Sequence, residues 1–146
     1  MVEPRFAELS SEILHAASVA LGDFAVLVES RDSAARSDFA LRLIDRGGRL
    51  IAGDQTVCQR QGSDLIACAP AESHGKIDVP GMGVVTLPVA ERARVSLLVV
   101  LLDTPPLFPE PGKRRLAGID VPVLALAAAD LAAPIKVAIA LGQFGG

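Results

Sequence analysis

Apolar and polar positions divide the chain into short strands and two longer helical stretches. HAASVAL over 15–21 and FAVLVE over 24–29 are apolar runs separated by Gly22-Asp23, which predicts a hairpin with a largely buried second strand. A small polar loop, SRDSAARS over 30–37, follows. In RSDFALRLIDR, Phe39, Ala40, Leu43 and Ile44 recur at helical spacing while Arg42, Asp45 and Arg46 fall elsewhere, so residues 36–46 are expected to be an amphipathic helix. Gly47-Gly48 ends it, because the position after a helix favours a left-handed residue. RLIAG over 49–53 reads as a short strand reaching Asp54, and residues 55–69 read as a hairpin about Gly62-Ser63. Ile77 to Leu87 holds Pro80, Gly81 and Gly83, hence a strand broken by a tight bend. Val95 to Leu102 predicts the central strand. The four prolines of TPPLFPEPGK, 104–113, predict an extended surface loop. Val121 to Leu126 is a further strand, and DLAAPIKVAIALGQF from Asp130 a closing helix with Pro134 in its first turn. Residues 4–13 are mixed and fit a short helix or a loose arm.

This order describes one α/β domain over residues 1–146, a mixed sheet with flanking helices, long enough to bury a core of its own. The chain has five Phe but no Trp or Tyr, so the core must be built from Ala, Val, Leu and Ile, and base-stacking platforms for nucleic acid are not expected. A net charge of −3 gives no electrostatic footprint for nucleic acid either. The run Val95–Leu102 is too short to span a bilayer, and MVEPRFAELSSEIL lacks the basic start and apolar stretch of a signal peptide. A cytoplasmic protein with no membrane partner is the expectation.

Cys58 and Cys68 fit no metal-ligand spacing. They flank the turn at Gly62-Ser63 and could face each other across a hairpin, either as two small half-buried residues or as a regulatory disulfide, which a reducing compartment disfavours. Lys113, Arg114 and Arg115 form a small basic cluster that reads as a solvated loop or a partner contact.

The succession strand, loop, helix, strand, Asp over 24–54 has the layout of a phosphate-binding P-loop. A working loop uses glycines to reach left-handed conformations and bring backbone N–H groups to phosphates, a lysine for the outer phosphates, and a Ser or Thr for Mg²⁺. The octet here is Ser30, Arg31, Asp32, Ser33, Ala34, Ala35, Arg36, Ser37, of which only the last residue fits. A serine-rich loop before a helix is also an ordinary cap, and Ser37 with Asp38 would suit that role.

RSDFALRLIDRGGRLIAGDQTV resembles the segment KSDLALRLIDRG-x-x-LVADDQV of the bacterial HPr kinase/phosphorylase family. HAASVAL resembles that family's strand beginning with a catalytic histidine, KIDVPGMGVVTLP its signature IEVRGVGI-x-x-LP, and LAAPIKVAIAL the closing helix of its short alphaproteobacterial members. The four segments are collinear over residues 14–142 and resemble the catalytic domain only. The resemblance implies a P-loop kinase-like fold, a hexameric family, and an ATP-dependent activity that phosphorylates a serine of HPr, the phosphocarrier of the sugar phosphotransferase system, and reverses this by phosphorolysis. By position it makes His15 the catalytic histidine, Ser37 the Mg²⁺ hydroxyl and Asp54 the second of two paired acids. Gly53 stands in place of the first acid, Arg36 in place of the lysine, Asp78 in place of a glutamate and Pro80 in place of an arginine.

These departures predict a lost activity. Ser30, Ser33 and Ala35 replace loop glycines, and each left-handed residue among them would cost roughly 1–2 kcal/mol. Arg36 is a planar fork, not a compact ammonium, and Asp32 brings a negative charge to a loop meant for phosphates. Gly53 removes a general base worth roughly 10²–10⁴ in rate. The expectation is a non-catalytic relative whose cavity is filled by its own side chains, Asp54 pairing with Arg36 or Arg31. It would need no cofactor and would bind HPr, a related phosphocarrier or a sensor kinase in phosphotransferase-linked or two-component signalling. His15 is then an ordinary histidine. The alternatives are an active kinase/phosphorylase using ATP and Mg²⁺ through His15, Ser37 and Asp54, or a structural subunit of a homo-oligomer.

Overall fold

Leu98 lies in the centre of an eleven-residue strand whose neighbours face two different cores. The computed structural model describes residues 10–107 and 110–144, which form eleven strands, two α-helices and a short 3-10 turn at Ala71–Ser73. The first strands are β1 (Ser11–Leu14), β2 (Ala17–Leu21) and β3 (Phe24–Glu29), followed by α1 (Ser33–Asp45) and β4 (Arg49–Ala52). Then come β5 (Thr56–Gln61), β6 (Asp64–Cys68), β7 (Lys76–Val79), β8 (Gly83–Thr86) and β9 (Arg92–Leu102). β10 (Gly112–Leu116), β11 (Ile119–Ala127) and α2 (Ala133–Phe144) complete the order.

The main sheet is ordered β1-β5-β6-β9-β3-β2-β4, and β7 and β8 form a separate hairpin. One edge of β9 runs parallel to β3 from Phe24↔Arg94 to Glu29↔Val100. The other edge is shared: Arg92–Arg94 pair antiparallel with β6, and Leu98–Leu102 pair parallel with β11. That branch curls the sheet. Val26, Val28, Leu97 and Val99 pack under α1 and α2, whereas Ala25, Leu27 and Leu98 pack into a second core with Leu65, Leu116 and Val121. Burial on both faces explains why FAVLV and LLVV are apolar without alternation.

Helix α1 ends in a Schellman motif: Gly48 N–H donates to Leu43 O, Gly47 N–H to Ile44 O, and Gly47 has φ +103°. At its other end the structure differs from expectation. The helix begins at Ser33 and not at Arg36, because the Asp32 carboxylate accepts from the N–H groups of Ala34 and Ala35 at 2.9 and 3.3 Å. Ser37 therefore lies in the second turn and caps nothing.

Four other expectations are corrected. Residues 11–14 are a strand against β5, not a helix or arm, since SEIL alternates between exposed and half-buried positions; residues 4–9 lie outside the described part. His15 lies in the bend between β1 and β2, not in a strand, since the chain changes partner from β5 to β3 there. Lys113, Arg114 and Arg115 lie in β10 and not in a loop. A two-residue turn, Ala117 (φ +47°) and Gly118 (φ +83°), closes their hairpin with β11; residues 108–109 of the proline-rich stretch lie outside the described part. Cys58 is paired with Ala67 and Cys68 with Val57, so the two thiols point to opposite faces of the β5–β6 ribbon and do not face each other.

Candidate functional site

The turn after β4, the start of α1, Ser73 and the β7–β8 hairpin surround a cleft of about 490 Å³. Its lining includes Arg36, Ser37, Gly53, Asp54, Lys76 and Asp78. Arg36, Ser37, Gly53, Asp54, Asp78 and Pro80, which come from separate parts of the sequence, are thus brought together. His15 stands beside Asp54, its Nε2 3.7 Å from Asp54 Oδ1.

Arg36 is the centre of the arrangement. Its side chain is 3% exposed. One terminal nitrogen donates to Asp54 Oδ1 at 2.8 Å and the other to the Ser30 carbonyl at 3.1 Å. Its Nε is buried without a hydrogen-bond partner. A buried guanidinium needs such partners, because a charge taken from water and left unpaired is costly. Asp54 is 65% exposed and closes the pair from the solvent side. The partner of Asp54 is thus Arg36, not Arg31.

Four backbone N–H groups of the octet are also engaged. Those of Ala34 and Ala35 bond the Asp32 carboxylate, that of Arg36 bonds Asp32 O, and that of Asp32 bonds Ser30 Oγ at 3.1 Å. No residue from Ser30 to Ser37 has positive φ, so the αR-αL nest that would cradle a phosphate is not formed. The conformational strain expected of the missing glycines is correspondingly absent: the segment is rebuilt as a capped helix start. Asp32, expected only to repel phosphates, is the residue that does this.

Gly53 carries a second constraint. A Cβ there would lie 2.6 Å from the Lys76 carbonyl oxygen and 2.9 Å from Ile77 Cα. Strand β7 approaches so closely that any side chain at 53 would require the backbone to move. The β7–β8 hairpin and a carboxylate at 53 cannot share this space as it stands.

Two buried hydroxyls that the sequence did not single out hold the floor beneath His15. Thr56 Oγ1 donates to Ala16 O at 2.9 Å and thereby accepts from Ser18 Oγ at 2.8 Å. The pair ties β2 to the start of β5, fixing the segments that carry His15 and Asp54. The serine in the otherwise apolar β2 was the available signal; Thr56 opens the mostly polar β5 and carried none.

ATP with Mg²⁺ does not fit these residues as arranged. The amides of Ala34 and Ala35 are taken by the Asp32 carboxylate, and the Asp54 carboxylate, which lines the cleft with Ser37, accepts from Arg36. Among the described residues, no three His, Cys, Asp or Glu side chains converge on a metal position.

The fold and the strand–loop–helix site define an α/β domain of P-loop kinase-like layout. Residues 7–100 match the sequence profile of the HPr Serine kinase C-terminal domain. The HPr kinase/phosphorylase of Malacoplasma penetrans is 25% identical over 125 residues, covering 76% of this chain and 42% of that protein. That of Clostridium acetobutylicum is 31% identical over 95 residues, covering 60% of this chain and 31% of that protein. The structure of the Hpr(Ser) kinase/phosphatase from Coxiella burnetii superposes with a TM-score of 0.78 at 22% identity, covering 90% of this chain and 89% of that one, which establishes the shared fold. The chain belongs to the HPr kinase/phosphorylase family, in the part formed by the HPr Serine kinase C-terminal domain. It spans well under half the length of these two curated relatives. No helix among the described residues is long and apolar enough to cross a membrane.

Proposed function

We propose that this chain is a family member without phosphoryl-transfer activity that acts as a regulatory protein-binding module. The observation that carries this reading is the pair of Arg36 with Asp54, which ties the phosphate-loop position to the acid that follows β4, although the cleft beside the pair stays open and is not filled by side chains. Asp32 on the helix amides and Gly53 beneath β7 support it: three parts of a kinase site are committed to internal contacts. The partner in this reading is HPr, a related phosphocarrier or a sensor kinase, in phosphotransferase-linked or two-component signalling. The curated relatives carry HPr in their name, which favours a protein partner of that kind.

The test is transfer of labelled phosphate from ATP–Mg²⁺ to HPr, and release of phosphate from serine-phosphorylated HPr. Neither is expected. The alternative, an active enzyme with a remodelled loop, draws on Ser37 and Asp54 lining one cleft, with His15 3.7 Å from Asp54. It requires incorporation into HPr that Asp54→Asn abolishes, and that result overturns the proposal.

A further inference from the structure

Ser96 interrupts the apolar run of β9 and is an extra residue within it. Ala25 of β3 stands opposite Val95 and Val26 opposite Leu97, so Ser96 has no partner on that edge. Val95 packs into the second core and Leu97 into the first, although residues two apart in a regular strand share a face. A bulge of this kind re-aims one side chain and recurs beside functional sites. The other edge of β9 forks at the same place: Arg94 is the last residue paired with β6, and Leu98 the first paired with β11. Ser96 therefore sits where two neighbours of the strand diverge.

The fork opens into a cavity of about 480 Å³. It shares no lining residue with the cleft at Arg36. Crevices where the neighbours of a strand part are where α/β sheets take small ligands. Ser96 lines this one; the residue is 7% exposed, and its hydroxyl has no hydrogen-bond partner among the described residues. An apolar strand thus holds near its centre a hydroxyl that no group of the described fold uses.

The walls of the cavity carry both signs of charge. Lys113 makes no ion pair among the described residues. Asp64 is 3.8 Å from Arg94, beyond hydrogen-bond reach, and that guanidinium lies over the Phe24 ring, 5.0 Å from its centroid. Asp120, by contrast, is held by Arg115 at 3.1 Å. One ammonium and one carboxylate, those of Lys113 and Asp64, are therefore uncommitted on the same cavity, and Leu65 and Ile119 add apolar wall. A simple anion that meets Lys113 also faces the like charge of Asp64, and a simple cation meets the reverse. A molecule that carries both charges on a short frame satisfies both. We propose that the fork is a binding site for a small amino-acid zwitterion, its carboxylate on Lys113 and the Ser96 hydroxyl and its ammonium on Asp64. The site is separate from the Arg36–Asp54 pair, so the proposal stands or falls independently of the functional reading above.

Thermal melts of the purified chain with each common L-α-amino acid at millimolar concentration test it, with acetate and methylammonium as singly charged controls. At least one amino acid should raise Tm, and neither control should. Calorimetric titration of that amino acid should show affinity weakened about tenfold or more by each of Ser96→Ala, Lys113→Gln and Asp64→Asn, the loss expected for a bond to a charged group. Asp23→Asn, in the exposed turn between β2 and β3, should bind as the unsubstituted chain does. Without amino acid, Ser96→Ala should melt no lower than the unsubstituted chain, because the hydroxyl makes no internal bond; a marked loss of stability would give Ser96 a structural role and overturn the proposal. So would a chain that no amino acid stabilises, stabilisation that acetate or methylammonium reproduces, or binding indifferent to the folded variants.

Discussion

The Arg36 guanidinium meets the Asp54 carboxylate at 2.8 Å, joining a helix start to a strand end that lie 18 residues apart in sequence. Arg36 is nearly inaccessible and Asp54 is mostly exposed, so the two contribute unequally. Asp54→Ala leaves a buried guanidinium with the Ser30 carbonyl as its remaining bonded partner, and should destabilise the fold by about 1–3 kcal/mol. Adding Arg36→Met should cost less than the sum of the single changes, because the charge that needed Asp54 is gone. Urea unfolding of the four proteins measures the coupling; strict additivity would mean that the pair contributes nothing.

Asp32 caps α1 through two amides. Asp32→Ala should cost about 0.5–2 kcal/mol, and Asp32→Ser should recover most of it, since a hydroxyl can accept from the same amides. Chemical denaturation reads both. A stability unchanged by Asp32→Ala would contradict the capping role.

Gly53→Asp, which writes the missing acid back into the sequence, should not restore phosphoryl transfer. The new Cβ would fall 2.6 Å from the Lys76 carbonyl oxygen, and overpacking of this kind costs about 1–3 kcal/mol. Thermal melts and the HPr transfer assay on the variant check the two halves of the statement. A stable, active Gly53→Asp protein would show that β7 yields easily.

Burial pushes the Cys58 thiol up to about 12 from an ordinary 9.0, with smaller contributions from Glu12 and Cys68. The folded chain therefore keeps a proton that the unfolded chain releases. This contribution to stability is complete below pH 9.0 and is lost as pH rises towards about 12, with a slope of at most about 1.4 kcal/mol per pH unit. Cys58→Ala should flatten the alkaline decline relative to the unsubstituted chain in denaturation series from neutral to alkaline pH. Parallel curves would remove Cys58 as the cause.

The apolar runs of β3 and β9, the turns at Gly22 and Gly62 and the glycine stop of α1 were legible, because each rests on local periodicity or on a backbone position that favours glycine. So was the gathering of His15, Arg36, Ser37 and Asp54, through resemblance of the segments that carry them. The start of α1 was not legible, because apolar periodicity begins only at Phe39 and the Asp32 cap, which lets Ala34 and Ala35 join the helix, lies upstream of it. β10 was missed, because GKRRL has no apolar alternation; its place is set by pairing with β11 and by Arg114 bonding Glu29 at 2.6 Å. The contact of Gly53 with β7 was beyond reach, since it joins residues more than twenty positions apart and a glycine leaves no side-chain signal.

Calorimetric titration of ATP–Mg²⁺ into the purified protein tests the central claim most directly. The Arg36–Asp54 pair and the Asp32 cap predict no measurable heat of binding, or an affinity no better than millimolar. Micromolar binding would contradict the account, for it would mean that Arg36 releases Asp54 and that the amides of the loop turn to phosphate.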